Sequence, residues 1–179
     1  MLRKLVFLCL LLLFTFKLSA KVKVNEYDFV ETYMQYAPVV FALSGGVLGA
    51  HCEHDFKHRV FNVAFTYLAQ TALVYPLKWT IDEVRPDGSA HNSFPSGHTA
   101  AVFAGAELIR MEYGWGWGAL FYANATFVGT MRVVHKRHWW WDAAAGAVLG
   151  IGSAHLGKLA ADGLYIRLSP NSITLTYSF

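Results

Sequence analysis

Residues 93–111 read SFPSGHTAAVFAGAELIRM, and the change of character within this stretch decides the fold. Ser93 to Gly97 combines serine, proline and glycine, residues that keep backbone out of regular structure. From Thr99 to Met111 the chain is alanine-rich without period-two alternation, which predicts a helix. Ser96 and Gly97 then stand at a helix start, where unpaired N–H groups and the positive end of the macrodipole favour an anion. Gly97 lets backbone approach a ligand closely, and His98 in the first turn faces whatever is bound. A plain capping turn with Ser96 as N-cap gives the same local pattern, so the flanking sequence has to decide.

Outward from this stretch lie four more apolar segments, Val39–Ala50, Val60–Trp79, Trp115–Val134 and Ala143–Ala161. With Thr99–Met111 they predict an all-α bundle of five to six mostly apolar helices, the sixth being an amphipathic turn in the polar lead-in 21–36. From Leu164 the residues alternate around Ser-Pro-Asn-Ser, which predicts a short C-terminal β-hairpin over 163–179. The chain is 55% hydrophobic and only 15% charged. Helices apolar all round, in a chain this small, cannot bury one another completely, so part of their surface is expected to meet lipid.

The N-terminus has the form of a secretory signal: Arg3 and Lys4, an apolar run from Leu5 to Phe16, then Leu18-Ser19-Ala20. Cleavage after Ala20, or retention of 1–20 as a short anchor, leaves a helical domain over 21–162. Loss of Arg3, Lys4 and Lys17 leaves 12 basic against 12 acidic residues, so charge gives no reason to expect a nucleic-acid partner. Cys9 lies in the signal and Cys52 is then alone, which excludes an internal disulfide.

Two polar stretches flank residues 93–111. Upstream, Lys78 and Arg85 close an apolar helix, and Pro86 biases Arg85 out of helical geometry, so both cations are delivered to one end of the bundle. Downstream, Arg132 precedes His138, and Asp142 follows His138 by four residues at the opening of the last helix. A carboxylate there caps the helix and orients the imidazole, leaving the other ring nitrogen as a nucleophile. Each stretch alone has a structural explanation, since basic residues commonly close helices and His-x3-Asp is a common local pair. Their combination in one chain points to an anion site with a histidine nucleophile.

The combined pattern resembles the signature of the type 2 phosphatidic acid phosphatase and vanadium haloperoxidase superfamily. It matches at Lys78/Arg85/Pro86, Pro95/Ser96/Gly97/His98 and Arg132/His138/Asp142, within a region from about Val60 to Ala161. The resemblance implies a phosphatase in which His138 attacks phosphorus, Asp142 orients it, and His98 protonates the leaving oxygen and then activates water. Lys78, Arg85, Ser96, Gly97 and Arg132 would bind the phosphoryl group, with no metal and no cofactor. The family's third motif usually has Ser before its Arg; Met131 stands there instead, which removes one hydroxyl.

Apolar helices favour a phosphorylated lipid as substrate, with the site facing the periplasm from an inner membrane and no obligate protein partner. The alternatives are a soluble periplasmic acid phosphatase of the secreted class A type and a catalytically inactive anion-binding membrane protein. A vanadium haloperoxidase is expected to be larger and soluble. His51-Cys52-Glu53-His54-Asp55-Phe56-Lys57-His58 contains metal-ligating residue types, but it is one short stretch without a second ligand cluster and reads as a solvated loop. Trp139–Trp141, with Trp115 and Trp117, reads as one interfacial aromatic belt beside the site.

Overall fold

The structure, a computed structural model, describes residues 31–169 and 172–177, with side chains described through Gly163. The expected signal segment 1–20 lies outside these residues. Four helical spans follow in order: α1 (Ala37–Ser44), α2 (Phe56–Thr80), α3 (Gly97–Val134) and α4 (Trp140–Gly163). Residues 31–34 are also helical. Beyond α4, β1 (Leu164–Ser169) pairs antiparallel with β2 (Ser172–Tyr177), with Leu164 opposite Tyr177.

The layout turns on Gly114, inside α3, whose φ of 79° and ψ of −179° lie outside helical geometry. Only glycine adopts such a conformation cheaply. The helix folds back there into two limbs, 97–113 and 115–134, close to the break expected between Met111 and Trp115. Contacts along the limbs show them antiparallel. A Cβ on Gly118 would lie 2.8 Å from Arg110 Cβ, and one on Gly129 would lie 3.2 Å from Thr99 Cγ2. Between them the Tyr122 hydroxyl donates to Glu107 Oε2 at 2.6 Å. The start and finish of α3 therefore meet at one end of the bundle.

α4 crosses the other helices through glycines. A Cβ on Gly146 would meet the Ser96 carbonyl at 2.5 Å, one on Gly150 the Ala100 carbonyl at 2.2 Å, and one on Gly157 Thr66 Oγ1 at 2.2 Å. Backbones approach that closely only where side chains are missing. The buried face of α3 is conventional, with Val102, Ala106, Ala125 and Val128 closing a small apolar core.

α2 has the reverse polarity. Its buried residues are Arg59, Asn62, Thr66, Gln70 and Val74, whereas Val60, Leu68, Tyr75 and Trp79 are exposed, the last at 80%. A water-facing helix places its apolar stripe inward. Among the described residues α2 is the helix long and apolar enough, by length and composition, to cross a membrane.

α1 is shorter than the expected Val39–Ala50. After Ser44 the chain turns through residues 45–49 and presses Gly46 against Cys52 and Arg59. The aromatic belt also divides. Trp139–Trp141 lie where α4 begins, but Trp115 and Trp117 lie beside Gly114 at the opposite end, where Trp117 packs on Phe41. The limb between these ends spans 17 residues or so, about 25 Å of helix.

Candidate active site

One end of the bundle gathers the finish of α2, both ends of α3, the start of α4 and the loops 81–96 and 135–139. Ser96 N–H donates to the Asp142 carbonyl at 3.0 Å, joining the starts of α3 and α4. Lys78 runs past the start of α3, its Cε 3.6 Å from where a Gly97 Cβ would stand, and its Nζ donates to the Asn92 carbonyl at 2.9 Å. His98 takes the next position after Gly97 in that first turn and is half-buried. Lys78, Arg85, Ser96, Gly97, His98, Arg132, His138 and Asp142, expected from sequence, thus share one end of the fold.

His138 is 2% exposed and Asp142 is fully buried. His138 Nδ1 lies 3.5 Å from Asp142 Oδ2. The same oxygen accepts from the Ser93 hydroxyl at 2.5 Å and from Trp139 N–H at 2.9 Å. The Trp139 bond is the backward half of a capping box, in which a third-position carboxylate satisfies the N–H preceding the helix. Ser93 Oγ is also 3.5 Å from His138 Nδ1, so imidazole, hydroxyl and carboxylate form one buried group. With Nδ1 turned toward that group, Nε2 is the nitrogen that can face a ligand.

Burial, and then Arg132, Lys78 and Arg85 close by, push the His138 imidazole down to about 3, against the opposing pull of Asp142. The ring is therefore neutral at physiological pH, with a lone pair to offer and a crowd of cations around it. An unprotonated imidazole among positive charges is suited to attack on an anionic centre, whose oxygens the cations would neutralise. Arg85 responds to the same crowding: burial and Arg132 lower its guanidinium pKa.

Some of the supporting residues gave no sequence signal. Glu31, in the polar lead-in, is 1% exposed. It accepts from Arg132 Nη1 at 2.7 Å and pairs with His135 Nδ1, so a buried carboxylate fixes the expected phosphate-binding Arg132. Ser93 stood within the opening stretch without being assigned a role. Glu83 Oε1 accepts from Trp141 Nε1 at 2.7 Å, and its backbone carbonyl accepts from Ser93 N–H at 3.0 Å. Burial, then the adjacent Asp142 carboxyl, pushes the Glu83 carboxyl up, against the effect of Trp141. Trp139 Nε1 donates to the Val84 carbonyl at 2.9 Å, and its ring stacks on Trp141 at 5.1 Å. Two of the five tryptophans expected to form a belt, Trp139 and Trp141, therefore clamp the loop that carries Arg85.

Ser96 takes the capping position that the sequence also allowed. Its hydroxyl is fully buried, lies 2.9 Å from Thr99 Oγ1 and accepts from Thr99 N–H at 3.4 Å. It serves as the N-cap of α3. The first amide of that helix, Gly97 N–H, belongs to the turn left unpaired by helix geometry.

Comparison with known proteins gives three findings. Residues 59–163 match the family model described as the PAP2 superfamily. A curated relative, lipid A 1-phosphatase of Porphyromonas gingivalis, is 44% identical over 89 residues, 48% of this chain and 20% of that protein. The chain thus aligns with about a fifth of that relative's length. The crystal structure of Aquifex aeolicus LpxE shares the fold, with a TM-score of 0.57 at 23% identity, covering 81% of this chain and 93% of that one.

Proposed function

The chain belongs to the PAP2 superfamily, and from that premise we propose that it is a metal-independent phosphatase acting on a phosphorylated membrane lipid through a phosphohistidine at His138. The observation that carries this reading is the buried, neutral His138 set among Lys78, Arg85 and Arg132. His138 Nε2 attacks phosphorus in line, the P–O bond to the leaving alcohol breaks, and His98 gives that oxygen its proton. His98 then takes a proton from water, whose oxygen displaces His138 by breaking the P–N bond. The products are inorganic phosphate and the original imidazole.

Asp142 and Ser93 hold the Nδ1 edge so that Nε2 keeps its lone pair. Lys78, Arg85, Arg132 and Gly97 N–H stabilise the charge that spreads over the phosphoryl oxygens in the transition state. Ser96 acts through the helix start that it caps. Fixed cations supply the neutralisation for which other phosphatases use a metal.

The reversed polarity of α2 supports a lipid substrate, because Leu68, Tyr75 and Trp79 have lipid as their natural surroundings. So do the tryptophans at both ends, since aromatic residues gather at both membrane interfaces. In this reading the site end faces the exported side, and the similarity to a lipid A 1-phosphatase makes a lipid A phosphate the first substrate to try. The test is phosphate release by the purified chain from lipid A, phosphatidic acid, phosphatidylglycerophosphate and undecaprenyl pyrophosphate, beside a soluble monoester, with and without chelator. Release from a lipid that survives chelation is expected. Preference for the soluble ester would favour a periplasmic acid phosphatase, and loss with chelator in a chain that circular dichroism shows still folded would overturn the metal-free mechanism.

A further inference from the structure

The stretch from His51 to His58, read from sequence as a solvated loop, is completed by a residue distant in the chain. α2 starts at Phe56, so His54 lies just before the helix and His58 in its first turn, after the Asp55 N-cap. The two imidazoles stack at 4.0 Å with 15° between their planes. Asp162, near the end of α4, brings Oδ1 to 2.8 Å from His58 Nε2. One ligand atom from each of His54, His58 and Asp162 lies within 4.8 Å of the others.

We propose that His54, His58 and Asp162 form a Zn²⁺ site that ties the start of α2 to the end of α4. The support around the three residues is that of a metal centre. His54 Nδ1 lies 2.8 Å from Glu112 Oε2, and Glu112 Oε1 accepts from His54 N–H at 2.8 Å. A carboxylate behind a histidine fixes the tautomer that leaves Nε2 unprotonated and makes it a better ligand. Glu112 is itself 7% exposed, so this second carboxylate is firmly placed. Asp162 Oδ2 is held by Lys158 Nζ at 2.9 Å, so Oδ1 is the oxygen that would coordinate, in place of its bond to His58.

Two imidazoles and one carboxylate are a donor set typical of Zn²⁺, with water as the fourth ligand. Tetrahedral bonds of about 2.0–2.1 Å put ligand atoms roughly 3.3 Å apart, so the cluster needs only side-chain rotation to close. The start of α2 lies some 20 residues, about 30 Å of helix, from Lys78. The ion would therefore hold helices together and take no part at His138.

The test is zinc titration of the full chain in detergent after chelator stripping, against a competing fluorescent chelator, with bound metal counted by mass spectrometry. One Zn²⁺ per chain is expected. Asp162→Asn, His58→Gln and His54→Gln should each weaken it at least tenfold, and Glu112→Gln by ten- to a hundredfold. Circular dichroism and gel filtration of each variant show whether it has folded. Zinc should raise the melting temperature of the wild type and not that of Asp162→Asn. Equal zinc affinity in wild type and Asp162→Asn, or no zinc bound by the folded wild type, would overturn the proposal. Because binding is read directly, this outcome is independent of whether the chain releases phosphate.

Discussion

At the His138 end, Lys78 donates to a backbone carbonyl and Arg85 feels the like charge of Arg132, which Glu31 holds in place. At the Gly114 end, His54 faces Glu112, His58 and Lys158 share Asp162, and Arg110 grips Glu107 through two bonds of 2.7 and 2.6 Å. The first end concentrates positive charge around a histidine that burial keeps neutral. The second sets basic groups against carboxylates. Crowded cations are a cost until an anion arrives, which is what a phosphate site requires, whereas matched pairs fasten helix ends together.

The strongest way to break this contrast is His138→Ala. Loss of the nucleophile should lower lipid phosphate release by about 10⁴-fold or more while the helical signal persists; residual turnover near wild type would remove the covalent mechanism. Glu31→Gln comes next, because it removes the buried carboxylate charge to which Arg132 Nη1 donates. Thermal unfolding in detergent should show about 3–5 kcal/mol lost, and an unchanged melting point would mean that the Arg132 pair is not holding the site.

Gly150→Ala should cost about 1–3 kcal/mol, since its methyl must enter space within 2.2 Å of the Ala100 carbonyl. Gly152→Ala, which meets nothing within 4 Å, is the control and should not destabilise the protein. A further effect concerns pH. The His138 imidazole accepts a proton near 6.5 when unfolded and only near 3 when folded. Between those values the unfolded chain binds more protons, so the His138 contribution is complete above pH 6.5 and is lost as pH falls toward 3. Its slope is at most about 1.4 kcal/mol per pH unit. Denaturant melts from pH 7 to 4 should be flatter for His138→Asn, and parallel curves would refute the assignment. At the other end Lys158→Ala should change stability by less than about 0.5 kcal/mol, because its pair with Asp162 is largely exposed; a larger loss in the same melts would show that the end depends on it.

Much of the site was legible because its signals are local. Proline after Arg85, glycine before His98 and three residues between His138 and Asp142 are visible without a fold. The supporting bonds are not. Ser93 reaches Asp142 across 49 residues, Trp141 reaches Glu83 across 58, and Arg132 reaches Glu31 across 101. A buried carboxylate such as Glu31 looks, in sequence, like any acid of a polar lead-in, because its burial depends on where another helix passes. The helical class was plain from apolar segments without alternation. The reversal at Gly114 was legible only as a break between two segments, and it placed Trp115 and Trp117 at the end opposite to that expected.

That reversal also turns a sequence interval into a ruler. The residues between His98 and Arg132 go down one limb of α3 and return along the other, so their number measures twice the depth of the bundle. One residue added to a single limb would swing Arg132 about 100° around the helix and away from His138. Only matched additions to both limbs preserve the alignment, and each matched turn deepens the molecule by about 5.4 Å. The interval between the two motifs is thus tied to the depth of the bundle, and a relative with a deeper bundle should lengthen it in paired turns.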